Sequence, residues 1–178
     1  MNRSYTMLCL IFSWITCAGL ALVCFGAPMV PGHKGLPDAV ISLAHLKEVR
    51  LDITPVSQVL VELDVTDDLI RSKLEKILQE MGIAIVEDKD APILEIMTIG
   101  VAEPAIANGL AFNMRLLLHQ HIYIERLEQH LTVPTFSDFN VSIDRNDNIR
   151  DTAILTLDHL LTRFKHMVGR ASRTVPSA

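Results

Sequence analysis

Thr66 to Glu87 reads TDDLIRSKLEKILQEMGIAIVE, a helix, its stop signal and the start of a strand in one run. Ile70, Leu74, Ile77, Leu78 and Met81 recur at the spacing of one helical stripe, while Arg71, Ser72, Lys73, Glu75, Lys76, Gln79 and Glu80 take the other side. A stripe of that kind has to pack on something, so this helix belongs to a core. Thr66 is placed as its N-cap, Asp67 and Asp68 put negative charge at the positive end of the dipole, and Val65 with Ile70 makes a hydrophobic staple. Gly82 stands where a left-handed residue ends a helix, and Ile83 can then fold back on Leu78. The chain passes straight into a short apolar strand.

Working outward toward the C-terminus, Glu87-Asp88-Lys89-Asp90 is a charged turn before Pro92, which predicts a hairpin. Ile93 to Ala102 is apolar on both alternations except at Glu95 and Thr98, the pattern of a central strand. Pro104 and the small residues up to Gly109 turn the chain. Leu110, Phe112, Met114, Leu116, Leu118, Ile122 and Ile124 then occupy one strand face, with only Gln120 interrupting. Asn113, Arg115, His119, His121, Tyr123 and Glu125 take the opposite face, with Leu117 among them. That sheet should have one side on the core and one toward water or a partner. Phe139, Val141 and Ile143 alternate with Asp138, Asn140, Ser142 and Asp144 in a last strand. Asn148 is placed as N-cap of a final helix whose apolar face is Ala153, Leu157, Leu160, Leu161, Phe164 and Val168, ending at Gly169.

Toward the N-terminus, Val49, Leu51 and Ile53 alternate with polar neighbours in a half-buried strand that Pro55 ends or bends. Val59, Val61 and Leu63 alternate again, as a short strand or as the approach to the helix. The order predicts an α+β fold, a two-layer sandwich in which two helices lie on one face of a mostly antiparallel sheet of four or five strands. Too many strands separate the helices for a ferredoxin-like split repeat. The domain is expected to occupy residues 44–169, after a Pro/Gly-rich linker at 27–43 and before a loose tail at 170–178.

Residues 7–25 (MLCLIFSWITCAGLALVCF) carry no charge, and small residues at Cys24 and Gly26 suit cleavage before Ala27. Residues 1–26 therefore read as a secretory signal peptide, or as an uncleaved membrane anchor, since about 20 apolar residues span a bilayer. The expected location is extracytoplasmic, periplasmic or secreted. Cys9, Cys17 and Cys24 all lie in this segment, so the remainder holds no disulfide, thiolate nucleophile or cysteine-based metal site. The 178 residues have a net charge of −5, and removing the leader with its one charge, Arg3, leaves −6. No cluster of Lys and Arg with interleaved aromatics offers a source for nucleic-acid affinity.

His119-x-His121, with Tyr123 and Glu125 on the same strand face, is the sharpest chemical candidate, because side chains at i and i+2 project together and two imidazoles can share a zinc. A third ligand has to come from elsewhere, for instance Glu95 or Glu103. A solvated polar strand face explains the same residues. Asp144-Arg145-Asn146-Asp147-Asn148 resembles the start of a calcium loop, but its sixth residue is Ile149 rather than Gly and its twelfth is Leu155 rather than Glu. Asn140-Val141-Ser142 is an N-glycosylation acceptor pattern. His159 and His166 fall on the exposed side of the last helix. The sequence has no G-x-S-x-G, no phosphate-binding Gly loop and no G-x-G-x-x-G.

The stretches LKEVRLDI, the helix into GIAIV, the strand after APILEI and the helix after NIRD resemble, from Leu43 to Val168, a set of small exported bacterial proteins of unassigned function. The resemblance implies an extracytoplasmic α+β domain without a known reaction. These readings together lead to a non-catalytic binding or envelope accessory domain with a protein partner and no cofactor. Its expected contact surface is the strand face of Arg115, His119, His121, Tyr123 and Glu125, or an exposed sheet edge. The alternatives are a metal-dependent hydrolase built on His119 and His121 and a membrane-tethered structural protein.

Overall fold

A computed structural model describes residues 35–103 and 108–176. The leader, most of the linker and the turn at Pro104 lie outside the described residues. The elements run α1 (Asp38–Ile41), β1 (Glu48–Ile53), α2 (Gln58–Val61), α3 (Asp67–Met81), β2 (Ala84–Ile85), β3 (Ile93–Glu103), β4 (Gly109–Ile124), a 3-10 turn (Glu125–Leu127), β5 (Gln129–Arg145) and α4 (Ile149–Thr174).

The helix that opens the sequence reading forms as its caps dictate. Thr66 Oγ1 accepts from the Leu69 N–H at 3.3 Å, Gly82 adopts φ +70°, and the Ile83 N–H returns to Leu78 O at 3.0 Å. Ile70, Leu74 and Leu78 are its buried stripe. Asp67 does more than balance the dipole: its Oδ1 accepts from the Val56 N–H at 2.9 Å and ties down the preceding loop.

The five strands are ordered β2-β1-β3-β4-β5. β1 is parallel to both β2 and β3, whereas β3–β4 and β4–β5 are antiparallel, so the sheet is mixed. The hairpin expected across Glu87–Asp90 does not form, because β2 and β3 flank β1 on opposite sides. Helices α3 and α4 cover one face of the sheet and bury a single core with Leu94, Ile96, Leu110, Phe112, Met114, Leu116, Leu118 and Phe136. Phe136 packs on Phe164 with ring centroids 5.8 Å apart. This is the α+β two-layer architecture.

Several boundaries differ from the sequence reading. The run at 59–63 is not a strand: it begins in the short helix α2, which buries Leu60 and leaves Val59 and Val61 exposed, and turns into the approach to α3. Leu60 and Ser57 cover β3 where β1 has ended, with the Gly100 N–H donating to Ser57 Oγ at 3.0 Å. Within the expected linker, α1 is formed and Leu43 is buried. α4 continues past Gly169 to Thr174 and buries Ala171, so the expected tail is the helix's last turn and a half. Gly169 supplies no left-handed stop there.

The facing of β5, which its alternation alone leaves open, is set by a bulge. A β-bulge lies between Leu118, paired with Phe136, and His119, paired with Pro134, leaving Thr135 as the extra residue. One inserted residue reverses which alternation faces inward. Beyond it, Asp138, Asn140, Ser142 and Asp144 turn toward the helix layer, and Phe139, Val141 and Ile143 turn outward. The inward polar groups meet a polar stripe on α4: Arg163 Nε to Asp138 Oδ2 at 2.9 Å, Ser142 Oγ to Thr156 Oγ1 at 2.8 Å, and Thr152 Oγ1 to Asp144 Oδ2 at 2.6 Å.

Candidate functional site

The face of the sheet opposite the helices carries the odd-numbered residues of β3 and β4. Among the described residues, no second layer covers it. Arg115, His119, His121 and Tyr123 all project there, as the strand periodicity requires. Glu125 does not join them: it lies past the end of β4, in the 3-10 turn that links to β5.

The polar residues are divided among neighbours rather than gathered at one point. His119 Nε2 lies 2.8 Å from Glu95 Oε2 on β3, and Thr54 Oγ1 donates to Glu95 Oε1 at 3.2 Å. His121 Nδ1 is 2.9 Å from Thr132 Oγ1 on β5. The Tyr123 ring sits 5.0 Å from that of His130, and Arg115 Nε donates to Ser137 Oγ at 3.2 Å. The two imidazoles of His119-x-His121 thus turn to opposite neighbouring strands. Among the described residues, no group of three His, Cys, Asp or Glu side chains converges as metal ligands. The hydroxyl of Thr54 is bonded to the carboxylate rather than to the imidazole, so the order hydroxyl, imidazole, carboxylate of an activated nucleophile is not formed.

Next to this polar strip lies an apolar field whose side the alternation of the last strand leaves open. Cross-strand pairing across β3, β4 and β5 makes the rows Met97–Arg115–Phe139, Ile99–Asn113–Val141 and Val101–Ala111–Ile143. Val101 is 63% exposed, Phe139 60% and Val141 59%. A shallow groove of about 370 Å³ runs across the field, lined by Met97, Ile99, Val101, Ala111, Phe112, Asn113, Arg115 and Val141. The alternation of Phe139, Val141 and Ile143 was legible in the sequence. The side on which it falls is set by the bulge, whose one local signal is Pro134 inside a strand.

No protein-family model matches the chain, and no curated protein does. In structure it is similar to a minor lipoprotein from Acinetobacter baumannii, at 14% identity and a TM-score of 0.41 over 76% of this chain and 98% of the other. It is also similar to the rare lipoprotein B from Shewanella oneidensis, at 10% identity and a TM-score of 0.31 over 72% of this chain and 96% of the other. Likeness at these values assigns no role to any residue described above.

Proposed function

We propose that the chain is a non-catalytic, extracytoplasmic binding or envelope accessory domain that engages a protein partner through the open face of its sheet. The observation that carries this reading is the exposed field of Ile99, Val101, Phe139, Val141 and Ile143 beside Arg115. Contiguous apolar surface rimmed by polar groups is rare on a monomer unless something docks there. Phe139 and Arg115 in its first row are an aromatic and an Arg, the residue types that dominate binding energy at interfaces. Export is supported by the uncharged run at 7–25 and the small residues Cys24 and Gly26 before Ala27.

The face is favoured over the sheet edge. At the outer strand, the Phe139 N–H is taken by Asp138 Oδ1 at 2.9 Å, its carbonyl by Arg163 at 3.1 Å, and the Arg145 N–H by Asp144 Oδ1 at 2.7 Å. Those groups are no longer on offer to an added strand.

Capture of partners from the native envelope tests the reading. A Phe139→Ala/Val141→Ala/Ile143→Ala variant should lose partners that the wild type retains, and Arg115→Ala/His121→Ala/Tyr123→Ala should weaken the same set. Identical partner lists for all three proteins would count against the face.

A further inference from the structure

The core ends at a polar layer. Gln120 Oε1 accepts from Thr135 Oγ1 at 2.6 Å, and its Nε2 donates to Ser42 O, at the end of α1, at 3.2 Å. Beyond this layer β4 and β5 run on as a two-stranded ribbon, Gln120 to Val133, with Ile122 opposite Leu131 and Tyr123 opposite His130. Ile122, Ile124, Leu131 and Val133 resume the apolar pattern on the side that elsewhere carries the helices, and none of them is buried. Leu127 at the tip and Tyr123 are 44% and 53% exposed. A ribbon of two strands gains little stability alone, and an apolar face that returns after a closed core is surface for something else.

The same pole receives the chain from its N-terminal side. α1 packs at the root of the ribbon, the His45 N–H donates to Ser172 Oγ at 3.2 Å, and the His45 ring lies 2.8 Å from Val175 O. Gly26 to Pro37, which connects the uncharged run at 7–25 to α1, is 12 residues. Such a segment reaches at most about 40 Å. Exposed Arg170, Arg173 and His166 stand at the adjoining end of α4, and no acidic residue follows Asp158, although the chain as a whole is acidic.

We infer that the ribbon is a membrane-contacting arm, which lays Ile122, Ile124, Leu127 and Leu131 into the interfacial zone of a bilayer with anionic headgroups, with Tyr123 on the ribbon's other face at the border of that zone. Tyrosine beside aliphatic residues suits that zone, and Arg126, Arg170 and Arg173 together outnumber the tip's Glu125 and Glu128 in meeting the headgroup charge. A bilayer is favoured over a protein at this pole because the segment that leads back to the uncharged run, on the reading that it is an uncleaved anchor, enters the domain there. The apolar field of the open sheet face lies toward the other end of β3 and β4 and stays free for its own partner.

The test uses the full chain with Trp14→Phe, which removes the one native tryptophan. Tyr123→Trp then reports on the ribbon, and Asp147→Trp on the turn at the opposite end of β5. The proteins are bound to phosphatidylcholine/phosphatidylglycerol vesicles with brominated or ordinary acyl chains. Tyr123→Trp emission should fall about two-fold in the brominated vesicles, and Asp147→Trp emission should not change. Adding Ile122→Asn and Leu131→Asn should abolish the quenching and leave the melting temperature in place, since both residues lie outside the core. The Phe139→Ala/Val141→Ala/Ile143→Ala variant should quench like the parent, which separates this inference from the open-face reading. Equal Tyr123→Trp emission in both vesicle types, or a ribbon shielded only by an envelope protein, would overturn it.

Discussion

Thr135 Oγ1 donates to Gln120 Oε1 at 2.6 Å, which seats the extra residue of the β-bulge against the polar side chain that closes the core. The bulge lets one strand keep Leu131 and Val133 on the helix side before it and Phe136, Asp138 and Ser142 on that side after it. Deleting Thr135 forces one of the two segments to turn over. The bonds of Asp138, Ser142 and Asp144 to α4 are the interactions at risk. The deletion is expected to lower stability by about 2–4 kcal/mol, and Thr135→Ala, which keeps the residue count, by about 1 kcal/mol. Urea unfolding of the two variants checks this; a deletion no worse than the Ala variant would show that the register is not set here.

The His119–Glu95 contact ties β4 to β3 on the open face. Both side chains are less than a quarter exposed, and Glu95 also holds Thr54. Removing the carboxylate strands an imidazole and a hydroxyl together. Glu95→Ala should cost about 1–3 kcal/mol by chemical denaturation. Because His119 is engaged by β3 and His121 by β5, zinc is expected to leave the melting temperature of the wild type unchanged. A zinc-dependent rise abolished by His121→Ala would restore the metal reading.

The parts of this fold legible in the sequence are those governed by local rules. Thr66, Gly82 and the Ile70–Leu78 stripe fix α3 by capping and period, and Leu110 to Leu118 fixes the inner face of β4. The parts that escaped depend on long-range pairing. Nothing local tells Ile83–Val86 that β1 will lie between it and β3, and Phe139, Val141 and Ile143 give the same alternation whichever way they face. Their side was decided four residues upstream, by one inserted threonine. Similarly, Ile122 and Ile124 continue the core pattern of β4, but the helix layer ends before reaching them. At the candidate site the shared projection of Arg115, His119, His121 and Tyr123 followed from strand period alone. Their division among neighbouring partners required the register.

Gly100 is required by its neighbour. A Cβ built at that position would lie 2.8 Å from Leu60 Cγ and 3.1 Å from its Cδ1, and Leu60 is fully buried. Gly100→Ala should therefore destabilise by about 1–3 kcal/mol through overpacking, and Leu60→Ala by about 2–5 kcal/mol through the cavity it leaves. The added methyl should partly fill that cavity in the double variant, so its loss should be smaller than the sum of the two. Additive losses in a double-mutant cycle would mean that α2 moves aside instead.

Acid should loosen the junction between β5 and α4. The hydrogen bond from Thr152 holds the Asp144 carboxyl below its ordinary value of 3.8, with a smaller contribution from the Arg145 N–H. At the α3–α4 seam, the hydrogen bond and charge of Lys165 hold Glu80 below its ordinary 4.5. A carboxyl held down in the native state binds protons less readily there than in the unfolded chain. Its contribution is complete above the ordinary carboxyl range and is lost as pH falls through the depressed native value. Both groups are exposed, so each effect is small. The melting temperature should not change with pH through these two groups between pH 7 and 5, where their contribution is complete, and should decline below about pH 4. Thr152→Ala should shift the Asp144 carboxyl titration, followed by NMR, upward toward 3.8 and leave that of Glu80 where it was. An Asp144 titration unmoved by Thr152→Ala would show that the Arg145 N–H, not the hydroxyl, holds the charge.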